Sequence, residues 1–144
     1  MSFAPAPGLI VRGLSGPRRL QDFALIAFDM DSTLINIECI DEVADAAGRK
    51  AEVAAITEAA MRGEITDFKD SLRRRLALLQ GVTVADMERV YTERLKINPG
   101  AAELIAACQR AGLKVLLVSG GFTFFADRVK ARLGIDFARD RKST

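Results

Sequence analysis

Two acidic residues two positions apart, Asp29 and Asp31, close the apolar run Ala24-Leu25-Ile26-Ala27-Phe28. In an extended strand, residues i and i+2 point to the same side, so both carboxylates leave the strand end together. Two carboxylates so placed repel each other unless they share a proton or a cation. Mg²⁺ suits them, because it takes oxygen ligands and is commonly held by one or two carboxylates with waters and a phosphate. A lone D-x-D also reads as a turn in which one aspartate caps the next helix. Its position after an apolar run and before Ser32-Thr33 adds the chemical reading to that plain one. A second group, Ser119-Gly120-Gly121, follows the apolar segment Lys114–Val118. Where a strand gives way to a helix, unpaired N–H groups and the positive dipole end favour an anion such as phosphate. Ser119 adds a hydroxyl donor, and Gly120 lets a ligand approach the backbone. Taken singly, this is a strand-to-helix turn with a serine cap. Taken together, one acidic strand end and one anion-binding strand end describe a phosphoryl site, since ligands of open α/β sheets sit beyond the carboxyl ends of the strands.

Other chemistries are removed by what the sequence lacks. It contains no histidine, which excludes Ser-His-Asp and Cys-His catalysis and His-ligated zinc. Neither Cys39 nor Cys108 has an arginine six positions later, where Asp45 and Lys114 stand, so a cysteine-nucleophile phosphatase loop is not expected. The two cysteines read as small buried residues rather than a disulfide framework. A net charge of +2 makes no case for nucleic acid as a partner. No apolar run approaches the roughly 20 residues that cross a bilayer, and Met1–Gly16 lacks a signal peptide's basic start and apolar core. The expectation is a cytoplasmic protein with neither nucleic acid nor membrane as partner.

The elements that must position these groups follow from hydrophobic periodicity. Residues 1–20 carry Pro5, Pro7 and Pro17 among small residues and read as a leader or linker with little core. The Ala24–Phe28 run reads as a buried strand of a parallel sheet. Between Ile37 and Lys96 apolar residues recur at helical spacing, and four helices are predicted, at about 38–47, 50–61, 67–80 and 84–95. Asp67 is expected to cap the third and Thr83 the fourth. Asn98-Pro99-Gly100 opens a further helix to about Ala111, with Pro99 near its first position. A strand over 114–118 and a helix to about Leu133, stopped by Gly134, complete the pattern. Strand, helical insertion, helix, strand and helix make an α/β crossover. The expected division is 21–36 and 97–138 for the core, 37–96 for the insertion and 139–144 for a polar tail. Phe122, Phe124 and Phe125 are expected to pack the last helix on the sheet.

The order D-M-D-S-T-L, E-C-I-D-E, M-R-G-E, S-L-R-R-R and V-S-G-G-F-T resembles the phosphoserine phosphatases of the haloacid dehalogenase (HAD) superfamily, from about Leu25 to Phe137. The resemblance implies a HAD-like Rossmannoid core, incomplete here, with an inserted helical-bundle cap. It implies Mg²⁺-dependent hydrolysis of O-phosphoserine, the last step of serine biosynthesis, through an aspartyl-phosphate. Asp29 is then the nucleophile and Asp31 the general acid and base. The Asp29 carboxylate and the Asp31 carbonyl hold Mg²⁺, and Ser119 and Gly120 hold the phosphate. In the cap, Glu38 corresponds to the ligand of the substrate ammonium, Arg75 to that of its carboxylate, and Phe68 to the residue shielding the amino-acid end. Each also has a plain reading: Glu38 as a first-turn acid, Arg75 as part of a solvated basic face with Arg73 and Arg74, and Phe68 as core.

The family pattern continues with a phosphate-binding lysine and an acidic G-D-G-x-N-D loop, which this sequence does not contain; Lys142 stands in unrelated surroundings. A lysine about 4 Å from a phosphoryl charge contributes about 4 kcal/mol at an effective dielectric near 20, roughly a thousandfold in rate. A weak or inactive enzyme is therefore expected. So is a bare edge on the Ala24–Phe28 strand, inviting self-association. An alternative within the same chemistry is a phosphotransferase; alternatives in other classes are a receiver-type phosphoaspartate module, which a long insertion between strands disfavours, and a non-catalytic phosphate-binding fragment.

Overall fold

The structure, a computed structural model, describes residues 2–140. A hairpin of β1 (Ser2–Ala6) and β2 (Leu9–Arg12) comes first, followed by a single 3-10 turn at Leu20–Asp22. Strand β3 (Leu25–Asp29) leads into a wide turn, Met30–Leu34, and then into four helices: α1 (Cys39–Ala46), α2 (Lys50–Met61), α3 (Phe68–Ala77) and α4 (Val84–Glu93). The chain returns through α5 (Ala101–Arg110), β4 (Lys114–Ser119), α6 (Thr123–Leu133) and β5 (Phe137–Asp140). The main sheet is parallel, in the order β3-β4-β5. Its register pairs Asp29 with Val118, so the acidic strand end lies beside the residue preceding Ser119.

One buried cluster runs through the sheet and the helical block. Val115 and Leu117 of β4, Phe125 and Val129 of α6, Ile105 of α5, and Val43, Val53 and Val90 of the block belong to it together. Alternate β4 residues are buried. Phe125 is fully buried and meets Phe122 and Phe124 edge-on. Such edge-to-face pairs are a favoured geometry between aromatic rings.

Two antiparallel linkers join the helical block to the sheet, with Ile35 bridging Ile97. Two asparagines stitch them. The Asn98 side-chain amide donates to the carbonyls of Thr33 (2.9 Å) and Ile35 (3.0 Å), and the Lys96 amide donates to Asn36 Oδ1 (2.7 Å). Burying backbone groups here without partners would be costly, and the asparagines supply donor and acceptor where no sheet does.

Helix boundaries lie within three residues of those predicted, and the two expected caps form. Asp67 accepts from the Lys69 amide (2.9 Å), and Thr83 and Asp86 exchange capping bonds. Residues 2–12, within the expected leader or linker with little core, form a hairpin that Pro7-Gly8 (Gly8 φ 80°) closes; this is a turn signal of the Pro-Gly kind. Among the described residues, none of the hairpin enters the core. Three expectations are corrected. Among the described residues strand β3 pairs with β4 alone, leaving the bare edge expected for it, but it is not a buried strand: Leu25 is 51% exposed. Pro99 is not at the first helical position. The Ala101 amide bonds the Asn98 carbonyl across a turn whose third residue, Gly100, has φ 85° and ψ −11°, a conformation that strongly favours glycine. Finally, Arg139 and Asp140 are not tail but part of β5, paired with Val118 and Ser119. The rest of the predicted tail, Arg141–Thr144 with Lys142, lies outside the described residues.

Candidate active site

The wide turn after β3 sets the acidic pair. The Ile35 amide reaches back to the Met30 carbonyl (3.2 Å), an i to i+5 closure. Inside it Asp31 is extended (φ −62°, ψ 133°) and Ser32 is left-handed (φ 53°). Met30 and Leu34 are buried as anchors, which leaves Asp29 and Asp31 facing outward from the sheet end. Wide turns of this kind inside or beside regular structure recur at functional sites. The Asp29 carboxylate accepts from the Met30 amide (2.9 Å).

Across the sheet, β4 ends in Ser119, which is 5% exposed. Its hydroxyl oxygen accepts from the Gly121 amide (3.0 Å), which leaves its proton to be donated elsewhere. Helix α6 begins at Thr123 with no side chain capping its first turn, so its N-terminal amides remain available to an anion. Gly121 is the residue that lets the two strand ends meet. A Cβ there would lie 3.3 Å from Ser119 Oγ and 3.7 Å from Asp31 Oδ2.

The helical block closes the other side. A cavity of about 240 Å³ is lined by Asp29, Asp31, Glu38, Phe68, Arg75, Ser119 and Gly120 together with Ile40, Leu72, Leu76, Gly121 and Phe122. All seven residues singled out from the sequence therefore face one cavity. Glu38 stands just before α1 and accepts a bond from the Ser32 hydroxyl (2.6 Å). Arg75 comes from the last turn of α3, while its neighbour Arg74 is occupied on the outside by Asp70 (2.9 Å). Phe68 opens α3 and is 53% exposed.

Electrostatics mark the same place. Burial, then the nearby charges of Glu38 and Asp29, raise the Asp31 carboxyl to about 6, opposed by contacts from the Cys39 thiol and amide. Cys39 is fully buried, and burial and the Asp31 charge push its thiol well above the usual range. Two buried polar atoms have no hydrogen-bond partner among the described residues: Asp31 Oδ1 and Arg75 Nε. Buried polar atoms are nearly always satisfied. One orphan acceptor among carboxylates and one orphan guanidinium donor, on two residues that line one cavity, match a ligand that brings both a cation or proton and an acid group. The donor set on the sheet side is all oxygen, which fits Mg²⁺. Among the described residues, no group of three or more Asp, Glu, Cys or His side chains is arranged to hold a metal ion.

Sequence reasoning missed five contributors. Gly121 carries the close approach, for which the second glycine of Ser-Gly-Gly was the available signal. Cys39 was read as packing and also touches Asp31. Phe122 was read as packing and also lines the cavity. Leu72 and Ile40 form its apolar wall and had no signal beyond helical spacing.

Residues 23–143 match the family described as haloacid dehalogenase-like hydrolase. Phosphoserine phosphatase of Albidiferax ferrireducens is 74% identical over 136 residues, covering 94% of this chain and 57% of that protein. Among solved structures, a substrate-bound phosphoserine phosphatase complex superposes with a TM-score of 0.73 at 40% identity, covering 81% of this chain and 55% of the other. A phospho-aspartyl intermediate analogue of phosphoserine phosphatase does so with a TM-score of 0.73 at 41% identity, over 81% and 55% of the two chains. The chain thus spans a little over half the length of the relatives it matches. With its parallel sheet, inserted helices and acidic first-strand end, the chain belongs to the haloacid dehalogenase-like hydrolases.

Proposed function

We propose that this chain carries the nucleophile, the general acid and the cap residues of a Mg²⁺-dependent phosphoserine phosphatase, whose reaction is the hydrolysis of O-phosphoserine to serine and phosphate. The observation that supports it most is that one cavity is lined both by an acidic pair with Ser119 and Gly121 and by Arg75, whose buried Nε has no partner among the described residues. Phosphoserine has the matching groups: a phosphate for the sheet end, an ammonium for Glu38 and a carboxylate for the planar fork of Arg75.

In this reading Asp29 attacks phosphorus through its carboxylate, and the P–O bond to serine breaks as the aspartyl-phosphate forms. Asp31, held near 6, carries the proton that the departing serine oxygen takes. It then accepts one from the water that cleaves the intermediate. Ser119 and the Gly120 amide hold the phosphoryl oxygens, and the uncapped start of α6 favours their charge. Phe68 shields the amino-acid end, and the helical block acts as a cap that excludes water. The Asp29 carboxylate and the Asp31 backbone carbonyl would hold Mg²⁺, which when bound neutralises phosphoryl charge. This activity would make the chain part of serine biosynthesis. Two buried unpaired cysteines suit a reducing, cytoplasmic setting.

The test is a single turnover. Incubated with Mg²⁺ and O-phosphoserine, the chain should release serine and gain a phosphoryl mass increment on Asp29, removable by hydroxylamine. Asp29→Asn should show neither while still binding phosphoserine by calorimetry. Wild-type chain that binds phosphoserine but yields neither serine nor increment would sink the reading.

A further inference from the structure

Ser32 has no assigned part in the reaction, yet it is the one non-glycine residue with positive φ among the described residues (φ 53°). A left-handed serine is uncommon, and such strain persists only where the surroundings enforce it. Two bonds enforce it here. The Ser32 amide donates to the Ile37 carbonyl (3.1 Å), and its hydroxyl donates to Glu38 Oε1 (2.6 Å). The loop from Asp31 to Glu38 is thereby closed on itself, once by main chain and once by side chain. We propose that Ser32 is a positioning residue that presets the Glu38 carboxylate for the ammonium of the substrate, and so helps set selectivity for an amino-acid phosphomonoester. The inference rests on the reading of Glu38 as the ammonium ligand.

The chemistry favours this role. Glutamate has three side-chain torsions, and fixing them on binding costs entropy. A hydroxyl that already holds one carboxylate oxygen removes part of that cost before the ligand arrives. The second carboxylate oxygen stays available to the ligand. Ser32 and Glu38 are both exposed, and Glu38 lines the cavity, so the bond by itself adds little to folding. Its value arises when a ligand displaces water around Glu38.

The experiment compares three probes by calorimetry with Mg²⁺ on the full chain: O-phosphoserine; 3-phosphoglycerate, which carries a hydroxyl where phosphoserine has its ammonium; and inorganic phosphate. Ser32→Ala and Ser32→Gly are made alongside Glu38→Gln. Glycine tolerates the left-handed turn, so Ser32→Gly removes the hydroxyl without the strain. Both serine variants should bind phosphoserine about fivefold more weakly, the scale of one modest hydrogen bond. Their affinities for 3-phosphoglycerate and phosphate should stay within about twofold of wild type. A merely structural role would weaken all three probes together and would be relieved in Ser32→Gly. If wild type prefers phosphoserine, Glu38→Gln loses that preference and Ser32→Gly keeps it, the positioning role is overturned while the reading of Glu38 stands. If wild type shows no preference for phosphoserine, the reading of Glu38 falls and this inference falls with it.

Discussion

Asp31 is the residue at which the chemistry and the stability of this protein oppose each other. Its carboxyl sits at about 6 instead of 3.8, mainly through burial and then through the charges of Glu38 and Asp29. The unfolded chain ionises Asp31 near its ordinary value, so the folded state binds the extra proton between the two. By linkage, the stability tied to Asp31 is fully present below about 3.8 and is lost as pH rises through about 6. Asp31→Asn should therefore melt higher than wild type at about pH 8 in the presence of chelator, and the gain should vanish toward pH 4. Added Mg²⁺ should narrow the gap above pH 6, because a cation beside ionised carboxylates offsets their repulsion. A Tm difference that does not grow with pH would mean the acidic crowd is not felt. The same residue scale shows how much of the site was legible. Asp29, Asp31, Ser119 and Gly120 stand in short motifs at strand ends, where residue type and neighbours are enough to raise the question. Glu38, Phe68 and Arg75 carry no such local signal and came only from the order of motifs along the chain.

At the scale of elements, the helical block must stand over the sheet end at a fixed distance, and two short linkers set it. Asn98 is the main clamp, bonding carbonyls at 33 and 35 from a position more than sixty residues away in sequence. Asn98→Ala should cost about 1–3 kcal/mol, since two backbone acceptors lose their donor. Asn98→Asp should cost more, because a carboxylate would face the same two carbonyl oxygens. Urea denaturation reads both, with an unchanged m-value indicating that only stability has moved. Equal stability of both variants and wild type would show that the linkers are held elsewhere. A second tie joins block to sheet layer: Arg128 of α6 stacks on Phe124 (3.5 Å to the ring centroid) and reaches Glu88 of α4 (2.5 Å). Both partners are about one-third or more exposed, so this pair adds at most a modest increment. Helices were the most legible elements because their caps are written locally. Thr83 with Asp86 and Asp67 with Lys69 bond within three residues, and sequence spacing contains that information. The turn at Pro99-Gly100 was less so, since proline before glycine fits both a helix start and a turn, and only the bond from Ala101 to Asn98 decides between them.

At the scale of the molecule, the open side of the sheet is the dominant feature. Among the described residues strand β3 pairs with β4 only, and Leu25 and Phe23 are 51% and 45% exposed. An unpaired strand edge with apolar side chains is a template for another strand. Concentration-dependent self-association is expected by light scattering, and Leu25→Lys should reduce it, since charge on an edge strand blocks further pairing. A monomer of constant mass across concentrations would count against this. No helix among the described residues is long and apolar enough to cross a membrane.

By itself the sequence determined the order of the elements, the caps that start the helices, and the chemical character of the two strand ends. These depend on interactions between residues a few positions apart, which a linear pattern records. Only the tertiary structure decided that Arg75, Glu38 and Phe68 face the same cavity as Asp29 and Ser119, and that Gly121 stands close to Ser119 and Asp31. Those outcomes depend on how a separate helical block seats over a parallel sheet. The seating is set by long-range packing and by the two asparagine-stitched linkers, whose partners are too far apart in the chain for any local pattern to encode.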